Sequence, residues 1–142
     1  MRVIMILISV MFLSIGFGYG QKIKFNKNKV LVDGVEFMDC KFGGDVIKTE
    51  LTLFEPNSDV EVAFIRWDGR GTPKYSGDDY NIYQFPQADL VLETKSIRTW
   101  GDKVKWLLEN KVIIDGKLNT EKAKAFVKRY DENITNRTII LE

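Results

Sequence analysis

The chain of 142 residues contains no histidine. That absence removes the commonest general base, the usual partner of a serine or cysteine nucleophile and the commonest zinc ligand, so triad chemistry and ordinary zinc sites are excluded. Cysteine is nearly absent as well. Cys40 stands alone, so no intrachain disulfide can form and the fold must rest on its apolar core. Such a cysteine reads as a small buried hydrophobe rather than a reactive or bridging thiol. An excess of charge is also missing, with 21 Lys and Arg against 20 Asp and Glu. A protein that tracks phosphates carries a basic excess or stripe, so nucleic acid is not an expected partner. Lys22, Lys24, Lys27 and Lys29 are spread along a strand and turn, where they read as a solvated edge that discourages strand pairing between molecules. Gly69-Arg70-Gly71 lacks the third glycine and the strand-to-helix context of a dinucleotide site, and no cofactor is expected.

Long apolar runs are missing too, with one exception. From Val3 to Tyr19 the chain is almost wholly apolar, preceded by Met1 and Arg2 and followed by Gly20. The positive charge, the apolar stretch and the small residues Gly18 and Gly20 match the three regions of a secretory signal peptide. Residues 1–20 are therefore expected to be a leader, with cleavage after Gly20 leaving Gln21 first. A retained single-pass anchor is the alternative, because about twenty apolar residues cross a bilayer. Glycines at 16, 18 and 20 oppose it by weakening the helix. After cleavage no stable membrane insertion is expected, and a lipid on a leading cysteine is excluded. Residues 21–142 suit a single domain that buries roughly two thirds of its unfolded surface.

Within that domain, strands come first. Lys22–Asn26 and Lys29–Asp33 flank a short turn, and Asp33-Gly34 between Val30-Leu31-Val32 and Val35-Glu36-Phe37 is a strong hairpin signal, since the glycine accepts a positive φ. Val35 and Phe37 then alternate out of step with Met38, Cys40 and Phe42, which predicts a bulge near Phe37–Asp39. Val46–Glu55 reads as a half-solvated strand, Val60–Trp67 as a central strand with apolar residues on both faces, and Tyr80–Phe85 and Ala88–Thr94 as two more. Near Ser96 the period changes to about 3.6. Ile97, Trp100, Val104 and Leu107 or Leu108 form one stripe, with Lys103, Lys105 and Glu109 outside it and Trp106 off it, a possible exposed contact or a flank of the helix seam. Asp115-Gly116 marks a turn. A second helix over Thr120–Asp131, capped by Asn119 or Thr120, carries Ala123, Phe126, Val127 and Tyr130 on one face. The expected fold is α+β, an antiparallel β-meander followed by a C-terminal pair of helices packed on it through Leu107, Phe126 and Val127.

The candidate binding residues sit in the long connection between the fifth and sixth strands, Asp68 to Asp79. Connections of this length in a meander often bind something. Trp67, Tyr75 and Tyr80 supply aromatic faces beside Asp68, Arg70, Lys74, Asp78 and Asp79, a mixture suited to a sugar, a peptide or a protein surface. The competing reading is a solvated loop. Asp68, Asp78 and Asp79 lack the alternating spacing of a calcium loop, so no metal is expected. Asn133-Ile134-Thr135 and Asn136-Arg137-Thr138 match the N-glycosylation pattern, which matters only for a eukaryotic source.

The stretch Lys27-Asn28-Lys29-Val30-Leu31-Val32-Asp33-Gly34-Val35-Glu36, with Leu107 to Lys122 and Phe126-Val127-Lys128-Arg129-Tyr130, resembles small, largely uncharacterised exported proteins of flavobacteria and related Bacteroidetes. The resemblance covers both ends of the domain but not the 68–79 connection. It implies a Gram-negative source and a periplasmic or released protein, and it carries no functional residue across.

The function expected from these features is that of an exported, non-catalytic binding or interaction module for a protein, peptide or glycan. An inhibitor or immunity-type protein that occludes a secreted enzyme is one alternative. The other is a glycan hydrolase working through two carboxylates, which would need a cleft holding both.

Overall fold

The computed structural model describes residues 21–45, 48–69, 79–96 and 98–135. Seven strands form one antiparallel sheet in simple meander order: β1 (Ile23–Asn26), β2 (Lys29–Val32), β3 (Val35–Gly44), β4 (Lys48–Phe54), β5 (Glu61–Asp68), β6 (Tyr80–Phe85) and β7 (Leu90–Thr94). Two helices follow, α1 (Trp100–Glu109) and α2 (Thr120–Tyr130), with a two-stranded ribbon, β8 (Ile113–Ile114) and β9 (Lys117–Leu118), between them. The α+β meander with C-terminal helices is therefore the observed architecture. Among the described residues no helix is long and apolar enough to cross a membrane.

Local chemistry explains the turns. Asp33 and Gly34 both take positive φ, 53° and 82°, so Val32 pairs directly with Val35 in a tight hairpin whose twist suits the strands. Asp115 and Gly116 repeat the device between β8 and β9, and a Cβ on Gly116 would lie 2.7 Å from the Pro56 ring. The expected bulge falls on Phe37, because Val30 pairs with Met38 while Leu31 pairs with Glu36. A second bulge places Val62 between the pairs Leu53–Ala63 and Phe54–Glu61. It changes the face of β5, which is why consecutive Val62 and Ala63 are both buried.

Two strands start later than the sequence expectation. The fifth begins at Glu61, leaving Val60 exposed, while Val46 and Ile47 of the expected fourth strand lie outside the described residues and its described part runs from Lys48. Ala88 lies in a 3-10 turn, Pro86–Ala88, instead of a strand, since proline favours the first turn of a helix and Asp89 then takes φ 52°. The seventh strand begins only at Leu90.

One face of the sheet is the core. Cys40, Leu51, Leu53, Ala63, Ile65, Tyr83, Phe85 and Leu92 meet Val104 and Leu107 of α1 and Ala123 and Phe126 of α2. The cysteine is buried, as expected, and burial pushes its thiol pKa up. Helix α1 lies against β1, and α2 against β7 and the 3-10 turn. Each helix is capped by a side chain: the Thr99 hydroxyl accepts from the Asp102 amide at 3.1 Å, and the Asn119 side chain from the Lys122 amide at 3.1 Å.

Beyond α2 the chain crosses the free edge of β7. The Glu132 amide donates to the Glu93 carbonyl at 2.8 Å, and the Asp131 carboxylate accepts from the Glu93 amide at 2.9 Å. The Thr135 hydroxyl donates to the Glu93 carboxylate. This strap occupies the backbone groups that an edge strand would otherwise offer to another chain. It delivers Ile134 to the second face of the sheet, against Tyr80 and Ile82.

Candidate functional site

The meander brings one set of connections to one end of the sheet. The β3–β4 turn, the start and finish of the β5–β6 connection, and the Lys95–Thr99 link into α1 all lie at the end where Thr49 pairs with Trp67, Trp67 with Asn81, and Asn81 with Thr94. Gly44 takes φ 88° there, and a Cβ on it would fall 1.9 Å from the Lys48 carbonyl oxygen, so only glycine closes that turn.

The sequence-derived candidates divide at this end. Trp67 is half-buried on the helix-facing side. Asp68 and Tyr80 pair across β5 and β6 and are buried, 7 % and 8 % exposed, the latter against Ile134. They belong to the sheet rather than to a solvated loop. Asp79 is half-buried, with one carboxylate oxygen enclosed and without a hydrogen-bond partner. Arg70, Lys74, Tyr75 and Asp78 lie outside the described residues. Among the described residues no group of metal-ligating side chains occurs.

Two expectations for α1 are overturned. Lys103, expected outside the apolar stripe, is 3 % exposed, and Trp106, expected off the stripe, is 6 % exposed. The helix is turned so that Lys103 stands three residues after Trp100 and three before Trp106 on the face toward the sheet. The Lys103 ammonium lies 3.7 Å from the centre of the Trp100 ring. Trp100 packs edge-on to the 42 % exposed Phe42 at 5.9 Å, and Phe42 to Phe25 at 5.1 Å. Trp106 anchors the other side, with ring centroids 5.6 Å from Tyr83, 4.6 Å from Phe126 and 5.0 Å from Tyr130, while the Arg98 guanidinium stacks on it at 4.2 Å.

The electrostatics of this interior are one-sided. Burial pulls the Lys103 ammonium down to about 8, with no carboxylate holding it up. Burial pushes the Tyr83 phenol far above its ordinary value, against the smaller opposing pull of the Arg98 charge. Among the described residues no salt bridge involves Arg98 or Lys103. The Tyr83 hydroxyl, the Asn81 Oδ1 and the Arg98 Nε are enclosed without hydrogen-bond partners, although the Asn81 amide group donates to the Ser96 carbonyl at 3.1 Å. Buried polar groups normally find partners, and each one left alone costs about 1 to 3 kcal/mol. A signal for the burial of Lys103 existed in the sequence, since it falls at helical spacing between two tryptophans.

An open groove of about 450 Å³ lies elsewhere, lined by Asn28, Asp39, Lys41, Phe54 and Asp59 among others. It is the place to look for a carboxylate pair. The Asp39 carboxylate accepts a hydrogen bond from Lys29 at 2.7 Å, which holds it below the usual carboxylate range. A group kept ionised in this way does not supply the proton donor that glycan cleavage requires.

Comparison of the chain with protein-family models, curated proteins and solved structures gives no match.

Proposed function

We propose that the protein is an exported, non-catalytic binding module whose contact surface is the end of the sheet from which the β5–β6 connection leaves. The observation that carries this reading is the gathering at that end of exposed or half-buried aromatic rings, Trp67, Trp100 and Phe42, with two cations that no described carboxylate pairs. Large aromatic side chains and arginine dominate binding surfaces because they join buried area to directional polar groups. Arg70 and Tyr75, in the connection itself, are its proposed anchors toward a protein, peptide or glycan. An inhibitor or immunity-type role is the form this takes if the captured partner is a secreted enzyme. The export half of the reading rests on Arg2, the Val3–Tyr19 run and Gly18 and Gly20.

Both halves have direct tests. Intact-mass measurement of natively expressed protein is expected to find Gln21 as the first residue; a mass retaining residues 1–20, with the protein in the membrane pellet, replaces the leader by an anchor. Pull-down from the native envelope fraction is expected to lose its specific partner when Arg70 and Tyr75 are both changed to alanine, with the thermal midpoint nearly unchanged. Capture that survives the double substitution moves the contact away from the connection.

A further inference from the structure

The open groove of about 450 Å³ lies on the face of the sheet turned away from the helices. Cys40 and Leu53 point into the helix-covered core, so their neighbours Asp39, Lys41 and Phe54 point to the other face. Those three line the groove from the sheet, Asn28 from the β1–β2 turn, and Ser58 and Asp59 from the β4–β5 turn. The two turns are tied together. The Lys29 ammonium, next to Asn28, donates to the Asp39 carboxylate at 2.7 Å and to the Asn57 side-chain oxygen at 3.1 Å. The β4–β5 turn is also fixed internally, the Glu55 amide donating to the Val60 carbonyl at 2.9 Å and the Val60 amide to the Ser58 hydroxyl at 3.0 Å. The lining groups therefore hold their places before a ligand arrives, which lowers the cost of binding one.

What the groove can hold follows from its chemistry. Lys29 and Lys41 balance Asp39 and Asp59, so the site is neutral in sum and selects neither an anion nor a cation. An extended peptide docks through main-chain bonds to a free strand edge. None is offered here, because Asp39–Lys41 pair with Thr52–Phe54 on one side and the Cys40 amide donates to the Asn28 carbonyl on the other. Phe54 is half-buried and belongs to neither buried apolar cluster, which leaves ring area for a ligand. We propose that the groove binds a neutral oligosaccharide of gluco-configured pyranose rings, one of them lying on Phe54. The carboxylates of Asp39 and Asp59 accept from its hydroxyls, and the Lys41 ammonium and Asn28 amide donate to them. The phenylalanine ring covers the apolar C–H face that equatorial hydroxyls leave bare. A volume of this size falls within the usual range of about 300 to 1,000 Å³ for ligand sites, and an open groove suits the inner units of a chain. Asp39, held by Lys29, supplies an acceptor and no proton donor, so the sugar is bound and not cleaved. The site is independent of the contact surface proposed above, which lies at the opposite end of the sheet.

Titration of the isotope-labelled protein with cellotetraose and with maltotetraose tests the proposal, read through the backbone amides of Cys40, Lys41, Ser58 and Asp59 and the side-chain amide of Asn28. At least one of the two sugars is expected to shift these signals saturably at millimolar concentration. Sorbitol, which has the hydroxyls without the ring face, is expected to bind at least about tenfold more weakly. Phe54→Leu keeps an apolar side chain at a half-buried position, and Asp59→Asn alters an exposed one, so both are expected to fold. Each is expected to weaken the sugar by about tenfold. Absence of any shift with both tetrasaccharides overturns the proposal, as does equal binding of sorbitol or undiminished sugar binding by both variants. Saturation of the same signals by choline in place of either sugar also overturns it and reassigns the groove to organic cations. A chain with Arg70 and Tyr75 changed to alanine is expected to keep the sugar. Partner capture that survives in that chain fails only the proposed function, and a native chain that captures its partner but binds neither sugar fails only this proposal.

Discussion

The two helices of this protein begin alike and end up in different environments. Each opens with a capping side chain that accepts from the third amide along, each presents an amphipathic face to the same sheet, and each sends one large ring into the same aromatic cluster, where Trp106 of α1 and Phe126 of α2 lie 4.6 Å apart. The face of α2 that meets the core is wholly apolar, Ala123 and Phe126 with Val127 and Tyr130 beside them. The corresponding face of α1 carries Lys103 between two tryptophans. Similar local rules thus produce one helix that serves packing alone and another that retains a costly cation in the interface. Costs of this kind are commonly kept where a site needs them.

The sharpest way to break the comparison is to remove the shared rings. Trp106→Ala is expected to cost about 4 kcal/mol and Phe126→Ala about 3 kcal/mol in chemical denaturation, since both leave cavities in a packed core. The double variant should cost less than the sum because the rings touch. A loss below about 1 kcal/mol for Trp106→Ala would return that residue to the exposed position that is one of its two readings from the sequence.

Next in size is Lys103 itself. Its folded pKa, about 8, lies below the ordinary value of 10.5, so below pH 8 the charge is present in both states and the folded chain bears the full burial cost. Between pH 8 and 10.5 the folded state loses this proton first, the unfolded state holds more protons, and stability rises with pH. Lys103→Met is therefore expected to be more stable than the native chain by roughly 2 to 3 kcal/mol at pH 7, with the gap closing toward pH 10.5. The comparison of the two proteins isolates the effect, because the buried Cys40 and Tyr83, whose pKa values are raised, pull stability the other way at high pH in both. A gap that stays constant across this range would show that Lys103 titrates normally.

The smallest effects belong to the caps. Thr99→Ala and Asn119→Ala should each lower the thermal midpoint by the equivalent of about 1 kcal/mol. Equal losses would confirm that the two helices start by the same local chemistry, and a distinctly larger loss at Thr99 would tie the start of α1 to the polar interior beside it.

Much of the meander was legible because its signals are local. Asp33-Gly34 and Asp115-Gly116 demand positive φ wherever they occur in a tight turn, the break in alternation at Phe37 demands an extra residue, and the Phe126 stripe follows from a period of 3.6. The candidate site was less legible. Trp67, Asp68, Asp79 and Tyr80 do frame the β5–β6 connection, yet Asp68 and Tyr80 are pinned inside, and the burial of Tyr80 depends on Ile134, more than fifty residues away.

By itself, then, the order of residues determined the turns, the bulge, the caps and the approximate extent of each strand and helix, because each depends on the conformational preferences of a few neighbouring residues. Only the tertiary structure decided how α1 is rotated on the sheet. Hydropathy assigns a lysine to solvent, but the fixed spacing of 100, 103 and 106 means that packing both tryptophans against the sheet carries Lys103 in with them, its ammonium over the Trp100 ring.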